Sequence, residues 1–253
     1  MVLALLVLAA VAAGWIDAVV GGGGLLQLPA LMVAYPAAPV ATLLGTNKVG
    51  SVAGTVTAAV TYSRKVQLDH RILWPTAGTA LVGSGLGAAL AGAVSSDVLR
   101  PLIIGVLAVV AVFVLTKPSF GLESRPVRLT TARAGGLVAS AGLAVAFYDG
   151  ILGPGTGIFL ALCFTGYLGL DYVTAAAHVK VVNAATNLGA LAVFAYFGHI
   201  WWTLGLALMA GNALGGFLGA RTAMKRGTGF VRVMLLVIVT VLMAKLTYDV
   251  AVS

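Results

Sequence analysis

The chain has 253 residues, of which 60% are hydrophobic and only 9% are charged, and its mean hydropathy is +1.07. A water-soluble domain needs more polar surface than this composition supplies, so the expected solvent is a lipid bilayer rather than water. The net charge is +8, but the basic residues lie in short connectors beside apolar segments, which is typical of membrane topology and not of a nucleic-acid-binding surface.

Apolar spans, each long enough to cross about 30 Å of hydrocarbon, follow one another along the chain. The predicted spans are Val2–Val20, Pro39–Thr61, Ile72–Val94, Val98–Leu115, Ala132–Leu152, Tyr172–Phe197, Trp201–Ala220 and Val231–Thr247. A glycine segment and a further short apolar run extend the first and the fifth span. These extensions are Gly21–Gly24 with Leu25–Tyr35, and Gly153–Gly157 with Ile158–Leu170. The first span lacks the positively charged start of a signal peptide, so we interpret it as a permanent helix.

The two halves of the chain align with each other at a shift of 132 residues. The alignment rests on the rare charges inside apolar spans, because it pairs Asp17 with Asp149 and Lys48 with Lys180. We therefore predict an all-α integral membrane protein of about eight transmembrane helices, built as two four-helix repeats whose first helix is broken at a glycine segment. The predicted repeats are residues 1–116 and 132–253, joined by a polar linker at 117–131.

The relative orientation of the two predicted repeats depends on how many times each half crosses the membrane. Four crossings in each half would make the repeats parallel. A glycine segment that turned one span into a re-entrant hairpin would change that count. The sequence leaves this alternative open, and the charges of the connectors do not decide the orientation of the protein in the membrane.

Lys48 and Lys180 each lie about nine residues into an apolar span, which places them near mid-membrane at about 1.5 Å per residue. A lysine there costs about 2.5–3.5 kcal/mol on insertion scales, so its side chain is expected to face the interior of the bundle. Polar side chains recur three and seven residues after each lysine, at Ser51, Thr55, Asn183 and Asn187. Two such rows would line a cavity that suits an oxyanion, although each lysine could instead neutralise an aspartate and hold the bundle together.

The glycine segments are the second candidate part of the site. Glycine and proline break a helix and free its terminal backbone groups, and non-helical backbone at membrane depth is tolerated where it lines a cavity. The N–H groups at the start of the next half-helix would then attract an anion. The candidate residues are Gly22, Gly23, Gly24, Gly155, Thr156 and Gly157. The alternative is that these small residues only allow helices to cross closely.

Asp17 and Asp149 lie just before the two glycine segments. We hypothesise that protonation of one or both carboxylates weakens their attraction to lysine and frees that lysine for the anion. Anion movement would then be coupled to a proton. A fixed helix cap or ion pair is the alternative interpretation of both residues.

The sequence contains no constellation that indicates catalysis or metal binding. No cluster of His, Cys and carboxylate residues has metal-ligand spacing, and no nucleophile is paired with a base. We therefore expect neither an enzyme activity nor a cofactor. The expected partners are a small anionic substrate and the lipid bilayer, with no nucleic acid, and a homo-oligomer is left open. An anion channel with a glycine-lined pore is the alternative to a carrier.

These motifs resemble the sulfite exporter TauE/SafE family, a group of multi-pass bacterial permeases. The matching stretches in the first half are Asp17-Ala-Val-Val-Gly-Gly-Gly-Gly-Leu-Leu-Gln-Leu-Pro29 and Gly45-Thr46-Asn47-Lys48. Those in the second half are Tyr148-Asp149-Gly150, Gly153-Pro154-Gly155-Thr156-Gly157, Lys180-Val-Val-Asn183 and Thr186-Asn187.

The resemblance implies transport of sulfite, a sulfonate or another organosulfur anion, by a multi-pass protein of the bacterial inner membrane. It also adds Asn47 to the candidate substrate-binding residues. Asn47 has no amide counterpart, because it aligns with Val179 in the second half. We therefore expect an asymmetric site, in which the two halves do not play equal roles.

Overall fold

A computed structural model describes residues 1–99, 101–102, 105, 127 and 129–252 of the chain. Within these ranges all regular secondary structure is helical and no β-strand occurs, which confirms the all-α fold class. The helices are α1 (Val2–Val20), α2 (Gly24–Ala34), α3 (Val40–Ser63), α4 (His70–Ala93), α5 (Thr131–Ile151), α6 (Thr156–Leu168), α7 (Tyr172–Tyr196) and α8 (Trp202–Val252). Most of the predicted span Val98–Leu115 and most of the predicted linker 117–131 lie outside the described residues.

Within the described ranges, five helical stretches are long and apolar enough to cross a membrane: Val2–Val20, His70–Ala93, Thr131–Ile151, Tyr172–Tyr196 and Trp202–Val231. α3 is as long as α4, with 24 residues, but its polar row lowers its mean hydropathy. α2 and α6 have 11 and 13 residues and are too short to cross about 30 Å of hydrocarbon at about 1.5 Å per residue. The division of the chain into two four-helix repeats stays a prediction.

Two of the long helices are irregular. α5 changes from α-helix to π-helix over Val138–Val145 and then returns to α-helix. α8 is interrupted at Gly227, where φ is 77° and ψ is −176°. This interruption falls between the predicted spans Trp201–Ala220 and Val231–Thr247, so the sequence indicated the place where the helix changes direction.

Asp171 is the N-cap of α7, the helix that contains Lys180. Its carboxylate accepts hydrogen bonds from the backbone N–H groups of Val173 and Thr174, at 2.9 and 3.1 Å. Burial alone would raise the pKa of Asp171, but hydrogen bonds from Val173, Thr174 and Thr228 hold it below its ordinary value. A charged cap at a helix N-terminus also interacts favourably with the helix dipole.

The first helix of each half packs chiefly against a helix of the other half. α1 lies along α8, and α5 lies along α4. These contacts are close, because a Cβ atom on Gly215 would overlap the carbonyl oxygen of Val11, and one on Gly87 would overlap that of Phe147. Small residues of this kind allow the backbones of membrane helices to approach each other. The two halves are therefore interlocked rather than placed side by side.

One hydrogen bond ties a connector of each half to a helix of the other half. The N–H group of Asp69, between α3 and α4, donates to Nε2 of His178 over 3.1 Å. The N–H group of Trp201, between α7 and α8, donates to Oγ1 of Thr46 over 3.0 Å. Asp69 and Trp201 occupy equivalent positions at the shift of 132 residues, and so do Thr46 and His178. We refer to these two hydrogen bonds as the connector tethers.

The positions of the connector tethers show that α3 and α7 are antiparallel. Thr46, near the start of α3, lies beside the connector that follows α7, and His178, near the start of α7, lies beside the connector that follows α3. The helices meet between these ends, where Nδ2 of Asn187 lies 3.3 Å from Oγ1 of Thr55. Corresponding helices of the two halves thus run in opposite directions, as they do in inverted repeats.

Candidate functional site

The two glycine segments meet in the interior of the bundle. Gly21, which caps the C-terminus of α1, has φ of +82°, and Gly153 has φ of +85° ahead of α6. A Cβ atom on Gly21 would lie 2.5 Å from the carbonyl carbon of Gly157, so no larger residue fits there without a backbone shift. Left-handed φ values and backbone contact therefore both require glycine at Gly21.

The buried lysine of each half pairs with the aspartate of the other half. Nζ of Lys48 lies 2.6 Å from Oδ2 of Asp149, and Nζ of Lys180 lies 2.9 Å from Oδ2 of Asp17. Lys48, Asp149 and Lys180 are each no more than 2% exposed. Burial of a charge is tolerated when an opposite charge and hydrogen bonds compensate it. In this conformation each lysine is neutralised, and the two pairs join the halves.

The two ion pairs have different surroundings. Oδ1 of Asp149 accepts a hydrogen bond of 2.7 Å from the hydroxyl of Thr156, which also donates to the carbonyl oxygen of Gly153. Asp17 instead offers both its carboxylate and its main-chain oxygen to Nζ of Lys180. The side chain of Asp17 is 16% exposed and that of Asp149 is 3% exposed. Solvent therefore reaches Asp17 more easily than Asp149.

A first cavity of about 390 Å³, including its opening, lies beside the Lys48–Asp149 pair. Its lining residues are Asp17, Gly21, Gly23, Gly24, Asn47, Lys48, Ser51, Thr55, Asp149, Gly153, Thr156, Gly157, Asn183, Asn187 and Asn212. The polar rows that follow both lysines therefore face the same space, together with parts of both glycine segments. Most of the substrate-binding residues predicted from the sequence lie in this cavity.

Lys180 lines a second cavity, of about 320 Å³ including its opening, whose walls are mainly apolar. Gly21 and Gly157 line both cavities, so the contact between these two glycines separates them. The two lysines therefore do not converge on one space in this conformation. The positive charge next to the first cavity comes from Lys48.

Two predicted binding residues, Gly22 and Gly155, line neither of these cavities. Gly22 packs toward Leu25, to which a Cβ atom on Gly22 would come within 3.1 Å. Gly155 has φ of +79° and precedes the first residue of α6. Gly155 thus shapes the turn from which α6 begins, whereas the φ of Gly22 is not left-handed.

The starts of α2 and α6 bring residues with unpaired backbone N–H groups to the lining of the first cavity. Among the described residues, the N–H groups of Gly24 and Gly157, in the first turns of these helices, have no backbone acceptor. Both glycines line the first cavity. A helix N-terminus carries partial positive charge, so these N–H groups add to the attraction that Lys48 exerts on an anion.

The sequence analysis did not identify Asn212, Gly21 and Gly153 as lining residues of the first cavity. Asn212 is the polar residue in the otherwise small and apolar run from Gly211 to Gly216 of α8, and an amide inside a predicted span was the available signal. Asn212 is 3% exposed. Its cavity position depends on which helix α8 packs against, and the apolar pattern does not specify that helix.

The chemistry of the first cavity is that of a binding site. It offers one ammonium group, hydroxyl and amide groups, two carboxylates and free backbone N–H groups. In the described part of the chain, no group of three or more His, Cys, Asp or Glu residues could hold a metal ion. The arrangement suits reversible binding of a small polar anion.

The sequence profile of the family described as "Sulfite exporter TauE/SafE" matches residues 6–246. The chain belongs to this family. It is 35% identical over 247 residues to a probable membrane transporter protein of Haemophilus influenzae, with 98% of this chain and 95% of the relative covered. It is 36% identical over 251 residues to the probable membrane transporter protein YfcA of Escherichia coli K12, with 98% and 91% covered.

A more distant relative is the probable membrane transporter protein YdhB of Bacillus subtilis, at 24% identity over 202 residues. No solved structure matches the chain. The resemblance recognised in the glycine and lysine motifs is thus confirmed over nearly the whole chain. The protein is a membrane transporter of the TauE/SafE family.

Proposed function

We propose that this TauE/SafE transporter is a secondary carrier for a small oxyanion in the bacterial inner membrane. Sulfite, a sulfonate or another organosulfur anion is the proposed cargo. The observation that carries the proposal is the first cavity, which is lined by a buried ammonium group, by polar side chains from both halves and by the first turns of two helices. An oxyanion has several strong acceptor oxygens, and this set of donors complements them.

Charge balance supports a link between the anion and a proton. Lys48 and Asp149 together are neutral, so an anion that joins them would leave an uncompensated negative charge in a buried site. A proton on Asp149 removes that excess, and Lys48 can then donate to the anion instead of the carboxylate. The anion and the proton would therefore enter the site together.

A carrier fits the geometry better than the alternative of an anion channel. The backbone contact between Gly21 and Gly157 stands between the two cavities, so within the described part of the chain these glycines separate the two cavities instead of lining one continuous pore. The antiparallel halves offer a second conformation in which the roles of the two ion pairs are exchanged. A carrier of this kind would show saturable flux and counterflow in liposomes, whereas a channel would show neither.

A thermal-shift screen of the purified protein in detergent tests the proposal. Sulfite, sulfate, thiosulfate, sulfoacetate, taurine and chloride are the ligands. We expect at least one oxyanion to stabilise the protein, and Lys48→Ala to weaken that binding more than about tenfold, because a buried charge partner is lost. Lys180→Ala is expected to have a smaller effect, since Lys180 lies outside the first cavity.

Lys65→Ala is the matched control, because Lys65 is an exposed lysine just after α3. It should bind the stabilising anion with the affinity of the unmodified protein. Equal affinity in the Lys48→Ala and Lys65→Ala proteins, both eluting as one folded species in size-exclusion chromatography, would contradict the proposed role of Lys48.

A further inference from the structure

The amide side chains of Asn47, Gln27 and Asn212 lie along one face of α3. Asn47 belongs to this face itself, together with Gly50 and Gly54, which follow it at spacings of three and four residues. The side chain of Gln27, from α2, lies over Gly50, and that of Asn212, from α8, lies over Gly54. Each glycine makes room for the amide, because a Cβ atom on Gly50 would come within 2.7 Å of Nε2 of Gln27 and one on Gly54 would overlap Oδ1 of Asn212.

Gln27 and Asn212 hydrogen-bond to each other. Nδ2 of Asn212 donates to Oε1 of Gln27 over 2.7 Å. Asn212 is 3% exposed and Gln27 is 2% exposed. This bond uses the nitrogen of the Asn212 amide and leaves its oxygen for another donor. Among the described residues no donor reaches Oδ1 of Asn212, although this atom is not fully buried. Nε2 of Gln27 and Oδ1 of Asn47 are the amide atoms of this cluster that are buried without a hydrogen-bond partner.

The Gln27–Asn212 pair has no counterpart in the other half of the protein. At the shift of 132 residues, Gln27 aligns with Phe159 and Asn212 aligns with Ala80. The lysines and aspartates, by contrast, occur in both halves. The two halves therefore share the charged groups, whereas of the two cavities described here the first alone is lined by a residue of the amide pair.

We infer that Asn212, positioned by Gln27, is a specificity-determining residue that accepts a hydrogen bond from a hydroxyl or amino group of the cargo. The inference rests on the proposed function of the first cavity, which Asn47 and Asn212 both line. Oδ1 of Asn212 is not one of the fully buried unpaired atoms and belongs to a residue that lines the first cavity, so a cargo that brings a donor can form a hydrogen bond to it that no described residue forms. An oxyanion that carries a hydroxyl or amino substituent therefore binds more tightly than the same oxyanion without it.

Ethanesulfonate and 2-hydroxyethanesulfonate form a suitable ligand pair, because they differ in one hydroxyl group. We expect the unmodified protein to bind the hydroxylated anion about tenfold more tightly, as one additional hydrogen bond to an otherwise unpaired group predicts. In Asn212→Ala, which introduces the residue that the other half has at this position, the ratio of the two affinities should fall to about one. The affinity for ethanesulfonate itself should change by less than about threefold, because Lys48 is intact.

Gln27→Leu is the second variant, since it keeps Asn212 but removes the residue that positions it. A merely structural role of Gln27 would weaken both ligands equally, whereas a positioning role lowers the affinity ratio. Thr222→Ala, at a partly exposed position of α8 outside both cavities, is the control and should keep the ratio of the unmodified protein.

The outcomes separate this inference from the proposed function. If the unmodified protein binds both sulfonates with equal affinity, or if both Asn212→Ala and Gln27→Leu keep the original ratio, the inference is overturned while anion binding stands. If neither sulfonate nor any other oxyanion binds the unmodified protein, the proposed function fails and the inference fails with it.

Discussion

Each buried lysine of the bundle forms an ion pair with an aspartate, so the loss of either partner leaves an unpaired charge in the interior. Removal of one partner of such a pair typically costs about 3–5 kcal/mol, because the other charge is left uncompensated. The Lys180–Asp17 pair is the more tolerant of the two. The carboxylate of Asp17 is partly exposed, and its main-chain oxygen would still accept a hydrogen bond from Lys180. The Lys48–Asp149 pair is more deeply buried, and Lys48 donates to the carboxylate of Asp149 rather than to a main-chain oxygen. We therefore expect the protonation of Asp149 to depend most strongly on whether the cargo is bound.

We predict that Asp149→Asn abolishes the proton movement that accompanies anion uptake. An amide cannot exchange a proton near neutral pH, so the charge-balancing step described for Asp149 is lost. The measurement is anion-dependent acidification of proteoliposomes that contain a pH-sensitive dye, and the number of protons moved per anion should fall close to zero. Asp17→Asn, examined alongside, shows whether the more exposed pair contributes.

Asp171→Asn is the control for this measurement, because Asn is also a good helix cap and Asp171 lies outside the cavities. It should leave the proton-to-anion ratio unchanged. Persistence of the original ratio in both Asp17→Asn and Asp149→Asn would reject proton coupling through these carboxylates.

The two glycine segments determine where the short helices α2 and α6 begin. Their turns bring the N-termini of α2 and α6 to the first cavity, and their contact divides the first cavity from the second. The sequence indicated both breaks, because runs of glycine and proline within apolar spans are local signals of broken helix. It did not indicate that Gly21 touches Gly157, because backbone contact between distant segments leaves no local pattern.

We predict that Gly21→Ala strongly destabilises the protein. The left-handed φ of Gly21 costs an alanine about 1–2 kcal/mol, and the added methyl group would collide with the backbone of Gly157. The melting temperature in detergent should fall by several degrees or the protein should fail to fold, and surviving protein should transport poorly. Gly166→Ala, in α6, is the control, because nothing lies within 4 Å of the added group. An equal melting temperature for both variants would rule out the close contact.

The whole molecule is held together by contacts that cross between its halves. α1 packs on α8, α5 packs on α4, and both ion pairs join a lysine of one half to an aspartate of the other. The sequence provided the charged residues and the polar rows, because these depart from an apolar background. It provided neither their partners nor the direction of the helices, since small and apolar residues occur on nearly every helix face and allow many crossings.

We predict that neither half is stable alone. Expressed separately, residues 1–116 and 132–253 would each expose a lysine and an aspartate without their partners to the membrane interior. When the halves are co-expressed as two chains, they should co-purify and restore anion binding, whereas each separate half should be degraded or aggregate. A monodisperse, folded single half would contradict this dependence.

The connector tethers differ in the group that accepts the hydrogen bond. The hydroxyl of Thr46 accepts at any physiological pH, whereas Nε2 of His178 accepts from Asp69 only while the imidazole is neutral. The ionisable neighbours of this ring are Asp69 and His70, and its other nitrogen lies 2.9 Å from the carbonyl oxygen of Thr174. Because α3 and α7 are antiparallel, the two tethers lie toward opposite ends of the bundle. Protonation of His178 would therefore break the tether at one end of the bundle and leave the Thr46 tether at the other end intact. The two ends of a nearly two-fold molecule would then respond differently to pH.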